Sequence, residues 1–233
     1  MRRALVTGGG SGIGLAIARK LATGGHDVTV LGRDRTKLEA TGLKLIVADV
    51  SDPSLTLDGA FDILVNNAGI VRSAPFAKQS DADWSQMWAT NVMGAVHATR
   101  AVLPGMRERG WGRVVNMAST ASLKGYAYVS AYVVSKHALL GLTRALALEL
   151  VDTAITVNAV CPGYTNTDIV REAVANIAAR TKRSEAEARA GLLNRQGRLI
   201  APNEVAAMVA WLVSDGARSV TGQAIAIDGG ETA

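Results

Sequence analysis

A phenol and an amine lie one helical turn apart near the middle of the chain, at Tyr132 and Lys136. If the chain is helical from about Ala131 onward, both side chains project from one face, and the ammonium stabilises the phenolate. The tyrosine could then exchange a proton nearer neutral pH than its usual pKa of about 10 allows. A solvated helix face could carry the same two residues, so the pair alone is a weak signal.

A hydroxyl group completes this set at Ser119, thirteen residues before Tyr132. Ser119 follows the apolar stretch 113–117, which predicts a buried strand. From the end of that strand, the hydroxyl could donate a hydrogen bond to a carbonyl oxygen while the tyrosine handles its proton. The three residues together indicate general acid–base chemistry at a carbonyl or an alcohol.

Glycines dominate the turn after the first apolar stretch, residues 4–6, where residues 7–14 read TGGGSGIG. Residues 15–22 continue with apolar side chains at helical spacing, and Gly24 and Gly25 end the predicted helix. Such a turn lets bare backbone approach a phosphate and presents a helix N-terminus to it. The spacing is not the commoner G-x-G-x-x-G, so a glycine-rich turn without a ligand remains an alternative.

The end of the second predicted strand, 27–31, bears on the choice of dinucleotide. An acid about 20 residues beyond the glycines would accept a hydrogen bond from a ribose 2′-hydroxyl, whereas an arginine suits a 2′-phosphate. This chain has Gly32 and then Arg33, which favours NADP over NAD. Asp34 leaves NAD open, because its carboxylate could pair with Arg33 or reach the ribose itself.

Polar residues also follow the next two predicted strands. Asp49 and Val50 come after strand 44–48 and could reach an adenine, and strand 61–65 ends in two amides, Asn66 and Asn67. Amides at that place suit a hydrogen-bonding brace beside a nucleotide. The connection between Asp49 and the following strand is so short that a crossover helix barely fits.

Composition narrows the class of protein. A hydrophobic fraction of 48% with 4% aromatic residues favours a sheet covered by helices. The net charge of +5 is concentrated at 168–198, without interleaved aromatics or a nucleic-acid motif, so we expect an anionic small molecule as its ligand and no nucleic acid.

The single cysteine, Cys161, excludes an internal disulfide and is expected to be buried and inert. Without a signal peptide or an apolar run of membrane length, we expect a soluble cytoplasmic protein, not at a membrane.

Strands and helices alternate along the rest of the chain. Ser80 and Asp83 predict a capping box that opens a long helix to about residue 107, which Pro104 should kink or shorten. The further predicted elements are a helix at 131–150, a strand at 154–160, a helical region at 167–194 with a second capping box, a helix opened by Pro202 and a strand at 224–227. This order predicts one α/β domain, 1–233, with a doubly wound parallel sheet. The two long helices, apolar on most faces, suggest a subunit interface.

Several separated motifs follow one another along the chain: TGGGSGIG at 7–14, NNAG at 66–69, Asn91, Ser119, Tyr132, Lys136, and PG at 162–163 followed by Thr167. With these motifs the chain resembles the classical short-chain dehydrogenases/reductases over nearly its whole length. The resemblance implies a three-layer Rossmann fold with a seven-stranded parallel sheet, a nicotinamide-dependent carbonyl or alcohol oxidoreductase without a metal, and a homotetramer or dimer. It implies that Tyr132 is the general acid/base, that Lys136 lowers its pKa and holds the nicotinamide ribose, that Ser119 polarises the substrate oxygen, and that Asn91 helps to hold a proton-relaying water. The implied cofactor-binding residues are Gly8, Ser11, Gly12, Ile13, Gly14, Arg33, Asp49, Val50, Asn66, Ala68, Gly69, Tyr132, Lys136, Pro162, Gly163, Thr165 and Thr167.

The substrate is less closely defined by the sequence. The chain is similar to the 3-oxoacyl reductases and 3-hydroxyacyl dehydrogenases of this family, and a basic lid at about 167–198 would admit an acyl thioester linked to coenzyme A or a carrier. A small secondary alcohol, a sugar or a polyketide, with NAD or NADP, is the alternative. A non-catalytic dinucleotide-binding sensor is the rival class, although the chain keeps both Tyr132 and Lys136.

Overall fold

Seven parallel strands form one sheet in the computed structural model, which describes residues 1–57 and 59–233. The strands are β1 (Arg3–Thr7), β2 (Asp27–Gly32), β3 (Lys44–Val47), β4 (Ile63–Asn66), β5 (Gly112–Met117), β6 (Ile155–Pro162) and β7 (Ala224–Ile227). Their order is β3-β2-β1-β4-β5-β6-β7, so the chain reverses direction across the sheet beside β1. A crevice forms at the carboxyl end of such a reversal, which is where α/β sheets bind ligands.

Helices cover both faces of this sheet, as expected for a parallel sheet whose central strands β4, β5 and β6 are buried throughout their length. They are α1 (Gly12–Thr23), α2 (Arg35–Glu39), α3 (Asp81–Trp88), α4 (Gly94–Glu108), α5 (Ser130–Glu149), α6 (Asp168–Thr181), α7 (Glu185–Ala190) and α8 (Pro202–Leu212). On one face Ile17 of α1 and Val205 of α8 enter the core, and on the other face Val102 of α4 and Ala147 of α5 do. The predicted three-layer Rossmann fold is confirmed.

Most element bounds follow the sequence signals closely. The capping box of Ser80 and Asp83 starts α3, and Pro202 starts α8 at the favoured first turn. Between Ala48 and Phe61 the described residues form no helix, as the short connection predicts. Among the residues described, none of the helices combines the length and apolarity that crossing a bilayer requires.

The structure adds detail to two expectations about helices. The region 167–194 is helical in two segments, because Lys182 adopts a left-handed backbone conformation with φ of 56° and ends α6. The second capping box, Ser184 with Glu187, then starts α7. Pro104 lies inside α4 and does not shorten it, since α4 continues to Glu108, and a kink at Pro104 stays a prediction.

Candidate active site

The predicted catalytic side chains meet where β5 ends and α5 begins. Ser119 follows β5, and its Oγ accepts a hydrogen bond from the backbone N–H of Ala121 at 3.1 Å. Because α5 starts at Ser130, Tyr132 lies in its first turn and Lys136 one turn later. The Lys136 Nζ lies 5.7 Å from the centroid of the Tyr132 ring, and the Ser119 hydroxyl is close enough to influence the phenol. The helix and the strand end therefore form the pocket that the spacing predicts.

Burial sets the protonation states of this group. It raises the pKa of Tyr132, and hydrogen bonding from Ser119 only partly offsets this effect. The net shift of the Tyr132 pKa is upward because desolvation is its largest cause, and the expected lowering of this pKa by Lys136 stays a prediction. The Lys136 ammonium donates to the carbonyl of Met117 at 2.7 Å, and burial lowers its own pKa to about 8. The pair consists of a protonated phenol and an easily deprotonated amine.

Asn91 lies in a π-helical turn, Ala89–Met93, that joins α3 to α4. Its Oδ1 accepts from the N–H of Ile70 at 2.8 Å, and its Nδ2 donates to the carbonyl of Ile70 and to Ser135 Oγ, both at 3.0 Å. π-turns of this kind often occur at functional sites, where they re-aim one side chain. Here Asn91 ties the segment after β4 to α5. A Cβ atom at Gly69 would lie 3.3 Å from Asn91 Oδ1 and 3.7 Å from Lys136 Nζ, so Gly69 is next to both.

The glycine-rich turn requires glycine at defined positions. Gly8 and Gly12 have φ values of 64° and 53°, which disfavour other residues. A Cβ atom at Gly14 would lie 2.3 Å from the carbonyl oxygen of Gly8 and 2.4 Å from Asn67 Nδ2. Asn67 Nδ2 itself donates to the carbonyls of Thr7 and Gly8, at 3.0 and 3.1 Å. The amide that braces the turn is therefore Asn67.

The turn fits the phosphates of a dinucleotide. Ser11 occupies the N-cap position of α1 without a side-chain capping bond, and no acidic residue lies in the first turn. Backbone N–H groups at this helix end therefore remain available to an anion. Ile13 is partly buried against the core, which leaves its backbone as the part that can face the cofactor. Ala68 lies nearby, and its N–H donates to Thr7 Oγ1 at 3.0 Å.

Asn66 has a structural position in the sheet. Its Nδ2 donates to Thr99 Oγ1 at 3.2 Å and to Asn116 Oδ1 at 2.8 Å, and the whole side chain is buried. It therefore braces β4 against β5. Its described contacts lie inside the protein, and its place among the cofactor-binding residues stays a prediction.

The part of the site where we expect the adenosine of the dinucleotide contains an exposed guanidinium, that of Arg33. The Arg33 side chain is 66% exposed, and its Nη1 lies 3.6 Å from Asp49 Oδ2. Asp34 does not pair with Arg33, because its carboxylate caps α2 by accepting from the N–H of Lys37 at 3.1 Å. Burial raises the pKa of Asp49, but hydrogen bonds from Ser51 and the charge of Arg33 bring it below its ordinary value. Val50 is buried, and its carbonyl contacts His97 Nδ1 at 3.0 Å.

The segment after β6 lies over the glycine-rich turn. Pro162 ends β6, and the buried Thr165 pairs with Ile200 in an isolated parallel bridge. Thr167 is the N-cap residue of α6, and a Cβ atom at Gly12 would lie 3.3 Å from its methyl group. The structure thus brings Thr167 to the turn, as the sequence resemblance implies. Gly163 lies beside the carboxylate of Glu231, which is 2.9 Å from the position of an added Cβ atom.

Residues near the carboxyl terminus reach this pocket, and sequence reasoning missed them. The hydroxyl of Tyr126 donates to the carboxylate of Glu231 and contacts Thr120 Oγ1 at 2.7 Å. Lys124 Nζ lies 3.2 Å from Glu231 Oε1, and the rings of Tyr126 and Tyr164 meet edge to face at 6.3 Å. The only feature of the sequence that pointed to these contacts was the position of Tyr126 between the two predicted catalytic residues Ser119 and Tyr132. Cys161 is buried, as predicted, and burial raises the pKa of its thiol to about 11.

Comparison with known proteins gives one consistent family. The family model described as short chain dehydrogenase matches residues 2–178. The D-beta-hydroxybutyrate dehydrogenase of Cupriavidus necator is 38% identical over 253 residues, covering 98% of this chain and 97% of that protein. The acetoacetyl-CoA reductase of Rhizobium meliloti is 38% identical over 251 residues, covering 99% of this chain and 98% of that protein.

A solved structure gives the same result in three dimensions. The crystal structure of a variant of actinorhodin polyketide ketoreductase with NADPH has a TM-score of 0.93 and 38% sequence identity. The alignment covers 99% of this chain and 97% of the ketoreductase. The fold and its crevice are therefore shared with an enzyme crystallised with a nicotinamide dinucleotide.

Proposed function

The chain belongs to the short-chain dehydrogenase family, and from this premise we propose that it interconverts a ketone and a secondary alcohol with NADP(H). The protein is an oxidoreductase acting on CH–OH groups. The observation that carries the proposal is the meeting of Tyr132, Ser119 and Lys136 in one pocket beside Gly69. A sensor that had only kept the fold would not need this set of proton-transferring groups.

The residues present fit a dinucleotide. Gly8, Gly12 and Gly14 with the N-terminus of α1 would hold the pyrophosphate, and Arg33 would hold a ribose 2′-phosphate. Thr167 and Lys136 would meet the nicotinamide end. The bound nicotinamide supplies or accepts the hydride in this reaction class. Because Arg33 is exposed and only loosely paired with Asp49, its guanidinium supports NADP as the preferred form.

The proton chemistry follows from the side chains of the chain itself. With a raised pKa, the Tyr132 phenol stays protonated at neutral pH and can give its proton to a carbonyl oxygen during reduction. The Ser119 hydroxyl would donate to the same oxygen and stabilise the developing negative charge. The buried Lys136 ammonium, with a pKa of about 8, can release a proton near neutral pH and so restore the phenol. Asn91 holds the segment that carries Gly69 next to that ammonium.

The substrate that we propose is a 3-oxoacyl thioester. Relatives named for acetoacetyl-CoA and for polyketide reduction support an acyl substrate. The region 167–198, with α6 and α7, would serve as a lid, and its basic residues suit a phosphate-bearing carrier arm. In the pocket wall, Glu231 pairs with Lys124, so this lysine is not free to bind the carboxylate of a free acid.

We also propose a homotetramer or dimer in the cytoplasm. Exposed apolar side chains along α5, Val134 and Leu148 among them, support assembly through the long helices. The single buried cysteine suits a reducing compartment.

The proposed function is tested by following NADPH absorbance with the purified protein. We expect turnover with acetoacetyl-CoA, slower turnover with NADH in place of NADPH, and a much lower kcat/KM with free acetoacetate. Binding of NADPH without turnover on a panel of acyl thioesters, simple ketones and sugars would contradict the enzyme assignment. A preference for free acetoacetate would instead show a 3-hydroxyacid dehydrogenase.

A further inference from the structure

A buried arginine at the amino-terminal end of β5 lacks a close counter-charge. The Arg113 side chain is 3% exposed, and its Nη1 donates to the carbonyls of Gly112 and Ala154 at 2.8 and 2.9 Å. Within the described part of the chain, its buried Nε has no hydrogen-bond partner. The only carboxylate in ion-pair range among these residues, that of Asp215, lies 3.9 Å from Nη2 and is 89% exposed. Buried charges are normally paired and hydrogen-bonded, so this guanidinium is incompletely satisfied.

Two further guanidinium groups surround the same place. Arg2 and Arg113 both lie over the indole of Trp111, at 4.0 and 4.3 Å from its centroid. Arg218 lines, with Trp111, Arg113 and Asp215, an open cleft of about 470 Å³. Burial and the charge of Arg2 lower the pKa of Arg113, and Asp215 opposes this only in part. Two cations, Arg113 and Arg218, therefore line the cleft with one carboxylate, Asp215, and the charge of Arg2 lies next to them on the indole of Trp111.

We propose that this cleft binds a small dianionic oxyanion of the phosphate class. Guanidinium groups match the oxygens of such a group, and Nη2 of Arg113, whose only ion-pair contact within the described residues is Asp215 at 3.9 Å, is the donor that an anion in the cleft would meet. The exposed Asp215 carboxylate can move aside when the anion enters. A volume in the range of ordinary ligand pockets leaves space for the rest of a phosphomonoester.

The cleft is separate from the catalytic pocket. Arg113 lies near the first residue of β5 and Ser119 just beyond its last, so the two are roughly 20 Å apart along an extended strand. A phosphate bound in the cleft would therefore not occupy the cofactor site. The 2′-phosphate of NADP would meet Arg33, which lies after β2 at the other end of the sheet.

Trp111 gives a direct readout of binding. We expect its fluorescence to change saturably on titration with inorganic phosphate, at ionic strength held constant with KCl, and the Trp111→Phe variant to lose this response. Arg113→Gln and Arg218→Gln should each weaken binding about ten-fold. Arg218 is exposed, so its variant should fold even if Arg113→Gln does not.

Controls separate this site from the cofactor site and identify the source of the phosphate. Arg33→Ala should leave the response unchanged, and so should saturating NADPH. Tighter binding of glycerol phosphate than of inorganic phosphate would show a phosphomonoester site, and equal binding a site for the free anion. The proposal is overturned if no saturable change occurs up to about 10 mM of either ligand, if both arginine variants bind like the wild type, or if Arg33→Ala abolishes the response.

Discussion

At the scale of single residues, burial shifts the pKa values of Tyr132 and Lys136 in opposite directions. Tyr132 keeps its proton because desolvation penalises the phenolate, while Lys136 loses its proton more easily because desolvation penalises the ammonium. A phenol that is protonated at neutral pH suits the donation step of ketone reduction. The raised pKa of Tyr132 and the lowered pKa of Lys136 therefore have the same principal cause, which is burial.

The lowered pKa of Lys136 has a consequence for stability. In the folded protein the pKa is about 8, below the ordinary 10.5, so the unfolded chain binds more protons between these values. Stability should therefore rise with pH across this window, by about 1.4 kcal/mol per pH unit from this residue. Relative to Lys136→Met, the free energy of unfolding of the wild type should increase by about 2 kcal/mol between pH 8 and 10.

Urea denaturation at each pH measures this difference. Lys20→Met, which removes an exposed lysine of α1, is the matched control and should show no such trend. A constant difference between wild type and Lys136→Met from pH 7 to 10 would show that burial does not lower the lysine pKa.

We also expect a single residue, Arg33, to decide cofactor preference. Arg33→Ala should raise the Kd for NADPH about ten-fold or more and leave that for NADH nearly unchanged, because a charge-assisted bond to the 2′-phosphate is lost. Fluorescence titration with both dinucleotides measures the ratio. Arg35→Ala, in an exposed pair on α2, is the control that changes the same net charge. Equal losses for both cofactors in Arg33→Ala would contradict the assignment of NADP.

At the scale of elements, the sequence predicted those parts that local signals specify. Capping residues placed α3 and α7, and buried apolar runs placed the strands. The capping box of Ser184 and Glu187 indicated that a new helix starts there, but the left-handed conformation of Lys182 was not predictable, because it depends on tertiary packing rather than on propensity. The role of Asn67 was likewise hidden, since nothing in two adjacent amides tells which one turns toward the glycines.

The carboxyl-terminal segment shows why long-range contacts escape sequence reasoning. The carboxylate of Asp228 accepts hydrogen bonds from the N–H of Gly230 and from both the N–H and the hydroxyl of Thr232, and these fold the segment into a turn. Glu231 is thereby directed to Lys124 and Tyr126, more than a hundred residues earlier. No local pattern indicates such a contact.

Glu231→Gln tests whether this contact shapes the substrate pocket. Loss of the charged bonds to Lys124 and Tyr126 should raise the KM for acetoacetyl-CoA about ten-fold and leave the Kd for NADPH unchanged. It should also raise relative activity on free acetoacetate, because Lys124 loses its partner. Glu185→Gln, at the exposed start of α7, is the control. Unchanged KM and unchanged selectivity in Glu231→Gln would contradict this role.

At the scale of the whole molecule, the order of the strands explains why the functional residues converge. The reversal beside β1 opens a crevice between the ends of β1 and β4, and the glycine-rich turn, Asn67 and Gly69 all follow these two strands. The sequence could predict this convergence because each polar motif follows an apolar strand. It could not predict the basic cleft at the amino-terminal end of β5, since Arg113 and Arg218 are brought together only by the fold.

Assembly through α5 is a further property of the whole molecule. Leu148 is 75% exposed, and a Cβ atom at Gly141 would meet nothing within 4 Å, so both are open to a partner. Leu148→Asp and Gly141→Arg should convert the oligomer to monomers in light scattering after size exclusion. Ile169→Asp, an exposed apolar residue of α6, should not. A wild-type protein that is monomeric, or variants that keep its oligomeric state, would contradict assembly through α5.

The most direct test of the account is the turnover of Tyr132→Phe, which removes the one hydroxyl proposed to exchange the proton. We expect NADPH to bind with nearly wild-type affinity while kcat for acetoacetyl-CoA falls by about two to four orders of magnitude. Tyr128→Phe, at an exposed tyrosine four residues earlier, should keep wild-type turnover. A Tyr132→Phe enzyme that retains wild-type kcat would contradict the central claim.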